Sequence, residues 1–341
     1  MLRTKRGPGP RTWGQRLRRF VVVSLVVLVG LALIGAAYQA IGQALDRRAL
    51  APPGRRIAVD GGMMHLHCTG TGAPTVLLEA GAIGFAQIWA WVQPRLAEHT
   101  RVCSYDRAGL GWSDDAADHD GATAVTRLRA LLTAAGESGP YVLVGHSMGG
   151  ALIRIFAERH PDDVVALGFI EPSHPDQLER LPPEARAAQE RVARIMGIVA
   201  GFAHVGLLRL TNKIGRLNVG LPDDDYRAGC MFSSAPGHLR ATHAEMKAWN
   251  TTMDAARANH TLGDRPIVVV SATEPLEGMT PEILALTRRM HAEIAALSIR
   301  GRHVTIVGSN HMSVLTEREH AERVAEILGE TIAASAAHGP R

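Results

Sequence analysis

The stretch YVLVGHSMGGALIRIF, Tyr141 to Phe156, places the tightest constraint on how this chain of 341 residues can fold. Its first apolar residues read as a buried strand and its last as a helix, and only Gly-His-Ser-Met-Gly separates the two. The same rhythm recurs along the chain. Strands are predicted at Ile57–Val59, Met63–Cys68, Thr75–Glu79, Arg101–Tyr105, Tyr141–Val144, Val164–Ile170, Pro266–Ser271 and His303–Val307. Helical patterns fall between most of them, notably Ala122–Ala135, Ala151–Arg159 and Pro281–Leu297, and a last one runs from Glu317 to about Ile332. Strand and helix in alternation predict a mainly parallel, eight-stranded sheet with helices on both faces, an α/β fold.

The alternation fails once, between Pro175 and about Leu262, where helix-like stretches such as Pro183–Ile198 and Leu239–Asn259 follow one another with no strand. So long a stretch is too much for a structureless loop in a compact domain. It is read as a helical cap over one end of the sheet, residues 175–262, leaving 57–174 and 263–335 as the core.

A different signal comes from Phe20–Tyr38, FVVVSLVVLVGLALIGAAY, which carries no charge. Nineteen helical residues extend about 28 Å, close to the thickness of a bilayer core. Residues 1–19 form a basic head with seven Lys and Arg and no acid, residues 20–42 a transmembrane anchor, and residues 43–56, with Pro52, Pro53 and Gly54, a linker. A cleavable signal peptide is the alternative, with Ala36, Ala37 and Ala40 as its small residues, but its apolar region ordinarily spans only about 7–15 residues. The positive-inside rule keeps the head cytoplasmic and exports the body, as a single-pass membrane protein or, after cleavage, a secreted one. The net charge of +4 belongs to the head: without its seven cations, 30 basic side chains face 33 acidic ones, a balance of −3. The body therefore offers no nucleic-acid surface.

Gly-x-Ser-x-Gly alone is a weak pattern in a chain with 35 glycines, but a preceding strand and a following helix make it a nucleophile elbow. Gly145 and Gly149 supply the small residues that the strained turn around Ser147 requires. Serine needs a base. Of 16 histidines, His311 lies in GSNH directly after the last strand, at the sheet edge where Ser147 emerges, and last in the chain as the order nucleophile, acid, histidine demands. His303 and His320 are expected in solvent, and His65 and His67 on a plain strand, with no third metal ligand evident. Glu171 and Glu274 each end a strand and could orient the imidazole; Asp106, in YDRAGLGWSD, precedes the nucleophile and is assigned to its loop.

From about Arg55 to its end, the chain resembles the α/β-hydrolase fold superfamily: LLEAGAIG, YDRAGLGWSD, GHSMGG and GSNH stand in that family's order. In most members the acid follows the penultimate strand, where this chain offers only SATEPLEGM. Some haloalkane dehalogenases resemble it instead in placing a glutamate twenty-four residues beyond the nucleophile, the spacing of Ser147 and Glu171, so Glu171 is preferred to Glu274. Their halide chemistry is not implied, since they use an aspartate nucleophile. The resemblance further implies an oxyanion hole of the Met148 and Ala82 amides, with Ala80-Gly81 in place of the usual His-Gly. It also implies a second strand beside the fourth, bringing Cys68 near Cys103 as a disulfide or as two buried thiols.

The expected activity is a serine hydrolase acting on an ester or related acyl bond, with no metal or organic cofactor. Its substrate would be a small, apolar molecule, and its membrane contact residues 20–38. Met196, Phe202, Leu207, Leu208, Met231, Phe232, Met246 and Trp249 would line an acyl pocket or fill the cap's own core. Alternatives on the same machinery are a proline-iminopeptidase-like aminopeptidase, a cofactor-free haloperoxidase-like enzyme and a carbon–carbon bond hydrolase. A catalytically inactive, membrane-anchored ligand-binding module is the alternative from another class.

Overall fold

The computed structural model describes residues 12–276 and 278–336. The part of the basic head up to Arg11 lies outside them. Helix α1 runs from Trp13 to Ala49, followed by strands β1 (Arg55–Val59), β2 (Gly62–Thr69) and β3 (Thr75–Glu79). Next come α2 (Val92–Ala97), β4 (Val102–Tyr105), α3 (Gly121–Ala135), β5 (Tyr141–His146), α4 (Met148–Arg159) and β6 (Val164–Ile170). The insertion holds α5 (Gln177–Arg180), α6 (Pro183–Ala203), α7 (Leu207–Thr211), α8 (Asp223–Phe232), α9 (Pro236–Lys247) and α10 (Trp249–Arg257). The chain then returns to the sheet with β7 (Ile267–Ala272), α11 (Pro281–Ala295), β8 (Gly301–Ile306), α12 (Ser313–Thr316) and α13 (Arg318–Ala336).

The eight strands form one sheet in the order β1-β2-β4-β3-β5-β6-β7-β8. Among the described residues the β1–β2 and β2–β4 pairs are antiparallel and the other five strand pairs parallel. Because strand side chains alternate between faces, β5 sends Tyr141 and Leu143 to one core and Val142 and Val144 to the other. The first core is closed by α3, α4 and α10, the second by α2 and α13. Both faces being buried explains why the central strands are continuous apolar runs rather than alternating ones. Cys68 stands opposite Cys103 in the β2–β4 register, and a disulfide joins them.

Two helical stretches are divided differently from expectation. Helix α1 continues through most of the expected linker, because nothing in Gln43–Ala49 breaks a helix until Pro52 and Pro53, and the Asp46 carboxylate pairs with Arg209 at 2.7 Å. The stretch read as one helix over Leu239–Asn259 is two, α9 and α10, and Met253 and Ala256 of α10 belong to the core beside α3 and α4 rather than to the cap.

Candidate active site

Ser147 occupies the turn between β5 and α4 with φ 53° and ψ −121°. A non-glycine residue at positive φ costs about 1–3 kcal/mol and persists only where its surroundings over-determine it. Those surroundings are specific. The Ser147 amide donates to the Ile170 carbonyl at 3.1 Å, and the Ser147 carbonyl accepts from Gly150 and Ser173. A Cβ on Gly145 would lie 2.5 Å from the Gly149 oxygen, and one on Gly149 2.5 Å from the Glu79 oxygen, so the turn closes only with glycine at both places.

His311 follows β8 in a loop that Asn310 organises: the Asn310 Oδ1 accepts from the amides of Met312 and Ser313 at 3.0 and 2.9 Å. The His311 Nδ1 lies 3.2 Å from Glu171 Oε2. A carboxylate can only accept, so the proton of the neutral ring resides on Nδ1 and the lone pair on Nε2. Glu171 ends β6 at φ 46°, its amide donating to Val270 O at 2.8 Å and its Oε1 accepting from the Ala272 amide at 2.6 Å. Burial opposes its ionisation, but hydrogen bonds from His311 and Ala272, with the two imidazoles His311 and His291 nearby, hold it down at about 2. Of the two glutamates, the structure brings Glu171 to His311; Glu274 is exposed, and its amide bonds the Ser309 carbonyl.

Two further histidines back this pair. His146 is buried and its Nε2 donates to the His311 carbonyl at 3.0 Å, with the two rings 4.8 Å apart. Burial, and then the neighbouring His311, push its pKa down to about 3, so it is a neutral strut. His291 is likewise kept neutral by burial, at about 4, bridging the Pro172 carbonyl and the Ser271 hydroxyl.

The loop after β3 abuts the elbow: a Cβ on Gly81 would lie 3.0 Å from Ser147 Cβ. Within it Ile83 adopts φ 61° and its carbonyl accepts from His238 of α9 at 3.0 Å. Arg107, buried, donates to the carbonyls of Ala80 and Gly81 at 2.7 and 2.9 Å. It is held between Glu79 at 2.7 Å and Glu245 of α9 at 2.6 Å, and Tyr105 donates to Glu79. Burial disfavours the Arg107 charge, but the two carboxylates more than offset it and its pKa is raised. With the carbonyls on either side tied down, the Ala82 amide is fixed beside the elbow. Sequence reasoning missed Arg107, Glu245, His238 and the supporting role of His146. Arg107 alone had a signal, next to Asp106 at a strand end; Glu245 and His238 come from a cap helix more than a hundred residues away.

A family model described as the alpha/beta hydrolase fold matches residues 74–208. Among solved structures, an epoxide hydrolase without ligand superposes with TM-score 0.64 at 22% identity, over 82% of this chain and 98% of that one. A putative ancestral haloalkane dehalogenase gives TM-score 0.65 at 20% identity, over 83% and 99%. The chain has the α/β-hydrolase fold. A 2-hydroxy-6-oxo-2,4-heptadienoate hydrolase of Pseudomonas putida is 36% identical over 115 residues, 33% of this chain and 41% of that protein. An uncharacterized vacuolar membrane protein of Saccharomyces cerevisiae is 32% identical over 123 residues, 33% of this chain and 19% of that protein. The chain spans between 17% and 59% of the length of these and six further curated relatives.

Elsewhere in the structure, Asp106 organises its loop as expected, accepting from the amides of Ala86 and Trp112 at 2.8 and 2.9 Å and facing the buried His65 at 3.0 Å. His303 is a correction: it is half-buried on β8 rather than solvated, its Nε2 2.7 Å from Ser271 Oγ, because β8 begins two residues earlier than expected. Cys68, Cys103 and Glu137 cluster closely enough for a metal, but the two sulfurs are joined and Glu137 is paired with Arg101. Of the cap's apolar residues, Met231 is buried and Phe232 packs edge-to-face against Phe85 and Trp112, whereas Phe202 and Leu207 face outward.

Proposed function

We propose that the protein is a membrane-anchored serine hydrolase that cleaves an ester or related acyl bond, with its catalytic domain on the extracytoplasmic side. The contact of His311 Nδ1 with Glu171 Oε2, beside a serine held in a strained elbow, carries this reading. His311 Nε2 takes the proton of Ser147 as Oγ attacks the acyl carbon; Glu171 fixes the tautomer and stabilises the imidazolium that forms. The amides of Ala82 and Met148 receive the oxyanion, the alcohol departs with the proton from His311, and water then resolves the acyl-enzyme. The Cys68–Cys103 disulfide and an apolar helix next to arginines support an oxidising, exported location for the body.

Labelling with a fluorophosphonate probe tests the nucleophile. The wild type is expected to label and Ser147→Ala is not, with turnover of p-nitrophenyl esters falling by about 10⁵-fold or more. Labelling that survives the substitution overturns the assignment, and a wild type that neither labels nor turns over favours a ligand-binding module. The likeness to the Pseudomonas putida protein favours carbon–carbon bond cleavage as a second reading; turnover of 2-hydroxy-6-oxo-2,4-heptadienoate without any ester hydrolysis would replace the first.

A further inference from the structure

Helix α6 presents Val192, Ile195, Ile198 and Phe202 along one face, and all four are 46–60% exposed. Their spacing of three and four residues marks a continuous apolar stripe. Leu207 and Leu210 of α7 extend it, with Leu210 73% exposed. A stripe this size turned toward water calls for an occupant.

Its position relative to α1 identifies one. Together α1 and the α6–α7 corner enclose an apolar groove of about 890 Å³, running from Leu28 to Tyr38 on the α1 side and lined across it by Ile198, Phe202 and Leu210. The contact is close: a Cβ on Gly35 would lie 2.3 Å from the Val205 carbonyl oxygen, and one on Gly206 2.8 Å from the Tyr38 ring. Leu28 to Tyr38 is about 15 Å of helix, half of a hydrocarbon core.

Polarity changes at the same height on both elements. The uncharged run of α1 ends at Tyr38, and directly beyond it Gln39, 3% exposed, donates to the Ser234 carbonyl at 2.9 Å. Arg209 reaches away from the groove to Gln39 at 3.2 Å and Asp46 at 2.7 Å. Exposed cations stand near the two ends of the stripe along the chain, Arg191 and Arg194 by Val192 and Ile195 and Lys213 and Arg216 after α7, a combination found in interfacial helices that meet lipid phosphates.

We infer that the outward face of α6 and α7 is embedded in the bilayer leaflet that α1 enters from the catalytic side, with lipid acyl chains filling the groove between them. The inference rests on the anchor reading of α1 and is independent of the chemistry at Ser147.

Full-length protein with Cys230→Ser, reconstituted in phosphatidylcholine and phosphatidylglycerol vesicles, tests it when a fluorophore is placed by Leu210→Cys or Phe202→Cys. Acyl-chain-brominated lipid is expected to quench both about as strongly as a label placed by Leu31→Cys in α1, and to leave one placed by Val307→Cys on the β8 loop unquenched. Quenching at Leu31 without quenching at Phe202 and Leu210 overturns the inference. So does self-quenching between labels at Leu210 that ignores bromination, which would make a second copy the occupant. Loss of quenching at Leu31 as well overturns the anchor and the inference with it, while fluorophosphonate labelling of the same samples reports separately on Ser147.

Discussion

At the carboxyl edge of the sheet, Ser147 and Glu171 hold φ angles of 53° and 46°, and the Glu171 carboxylate, the His311 Nδ1 and the His146 Nε2 are all hydrogen-bonded. On the outer face of the cap, Ile198, Phe202 and Leu210 sit in ordinary helix, and it is their side chains that lack partners. The first region carries strain in the backbone and resolves it by over-determined hydrogen bonding. The second has unstrained backbone and unresolved apolar surface. The proposed catalytic site and the proposed lipid-facing site therefore differ in which part of the chain departs from the usual rules.

The largest expected effect separates the two glutamates at the strained edge. Glu171→Gln is expected to lower kcat on short p-nitrophenyl esters by about 10³–10⁴, since an amide can present its NH₂ to Nδ1 and favour the wrong tautomer. Glu274→Gln should remain within about twofold, as expected for an exposed side chain whose hydrogen bond is with the neighbouring Thr273 hydroxyl. If Glu274→Gln abolishes turnover and Glu171→Gln does not, the partnered edge loses its catalytic meaning.

Next is Arg107, whose charge is buried among Glu79, Glu245 and two carbonyls of the loop before Ala82. Arg107→Met leaves two buried carboxylates uncompensated, and urea unfolding in detergent should show a loss of about 3–5 kcal/mol. Arg107→Lys keeps the charge but cannot span both carboxylates and both carbonyls; it should fold, with a lower kcat and little change in KM because the loop proposed to receive the oxyanion is loosened. An unchanged kcat in Arg107→Lys would separate this cluster from the catalytic edge.

Acid should dissolve the catalytic edge in two stages. His146 and His291, held near 3 and 4 against an ordinary 6.5, exclude protons that the unfolded chain binds, so stability falls as pH drops below 6.5. Glu171, held near 2 against an ordinary 4.5, contributes fully above 4.5 and loses that contribution as pH approaches 2, on the order of 3 kcal/mol. Urea titrations from pH 8 to 3 should show the decline beginning near 6.5. In His291→Gln the slope between 6.5 and 4 should be shallower by about 1.4 kcal/mol per pH unit, because one proton-excluding ring is gone while His146 and His238 remain. A flat profile across that range would mean the ring is protonated in the folded state.

The sheet was legible because its signals are local. Strand runs, the glycines around Ser147 and the position of GSNH each depend on neighbours in the chain, and observed strand ends fall within about two residues of expected ones. The spacing of Glu171 from Ser147 pointed to the carboxylate that contacts His311. What escaped depends on residues brought together by folding: Glu245 and His238 reach the loop before the elbow from α9, and no periodicity in either segment announces it. Phe202 and Leu207 misled for another reason. Apolar residues in a soluble body belong to a core by default, and only the packing of α1 against the cap shows that this face continues the helix that is long and apolar enough to cross a membrane.

The smallest expected effect probes the cap face itself. Leu210 makes its stabilising contacts with neither core, so Leu210→Ser should change unfolding in detergent by less than about 0.5 kcal/mol. Phe169, fully buried between the sheet and its helices, supplies the contrast: Phe169→Ala should cost about 3–5 kcal/mol in the same measurement. The informative quantity is how Leu210→Ser divides between environments. In detergent, micelle molecules and water can both accommodate a serine there, so stability barely moves. In vesicles the same hydroxyl must enter hydrocarbon or the α6–α7 corner must lift, and accessibility of a label at Phe202→Cys to a water-soluble quencher should rise. Equal accessibility with and without Leu210→Ser would mean that the face already lies in water, and the division between a hydrogen-bonded catalytic edge and a lipid-facing cap would disappear.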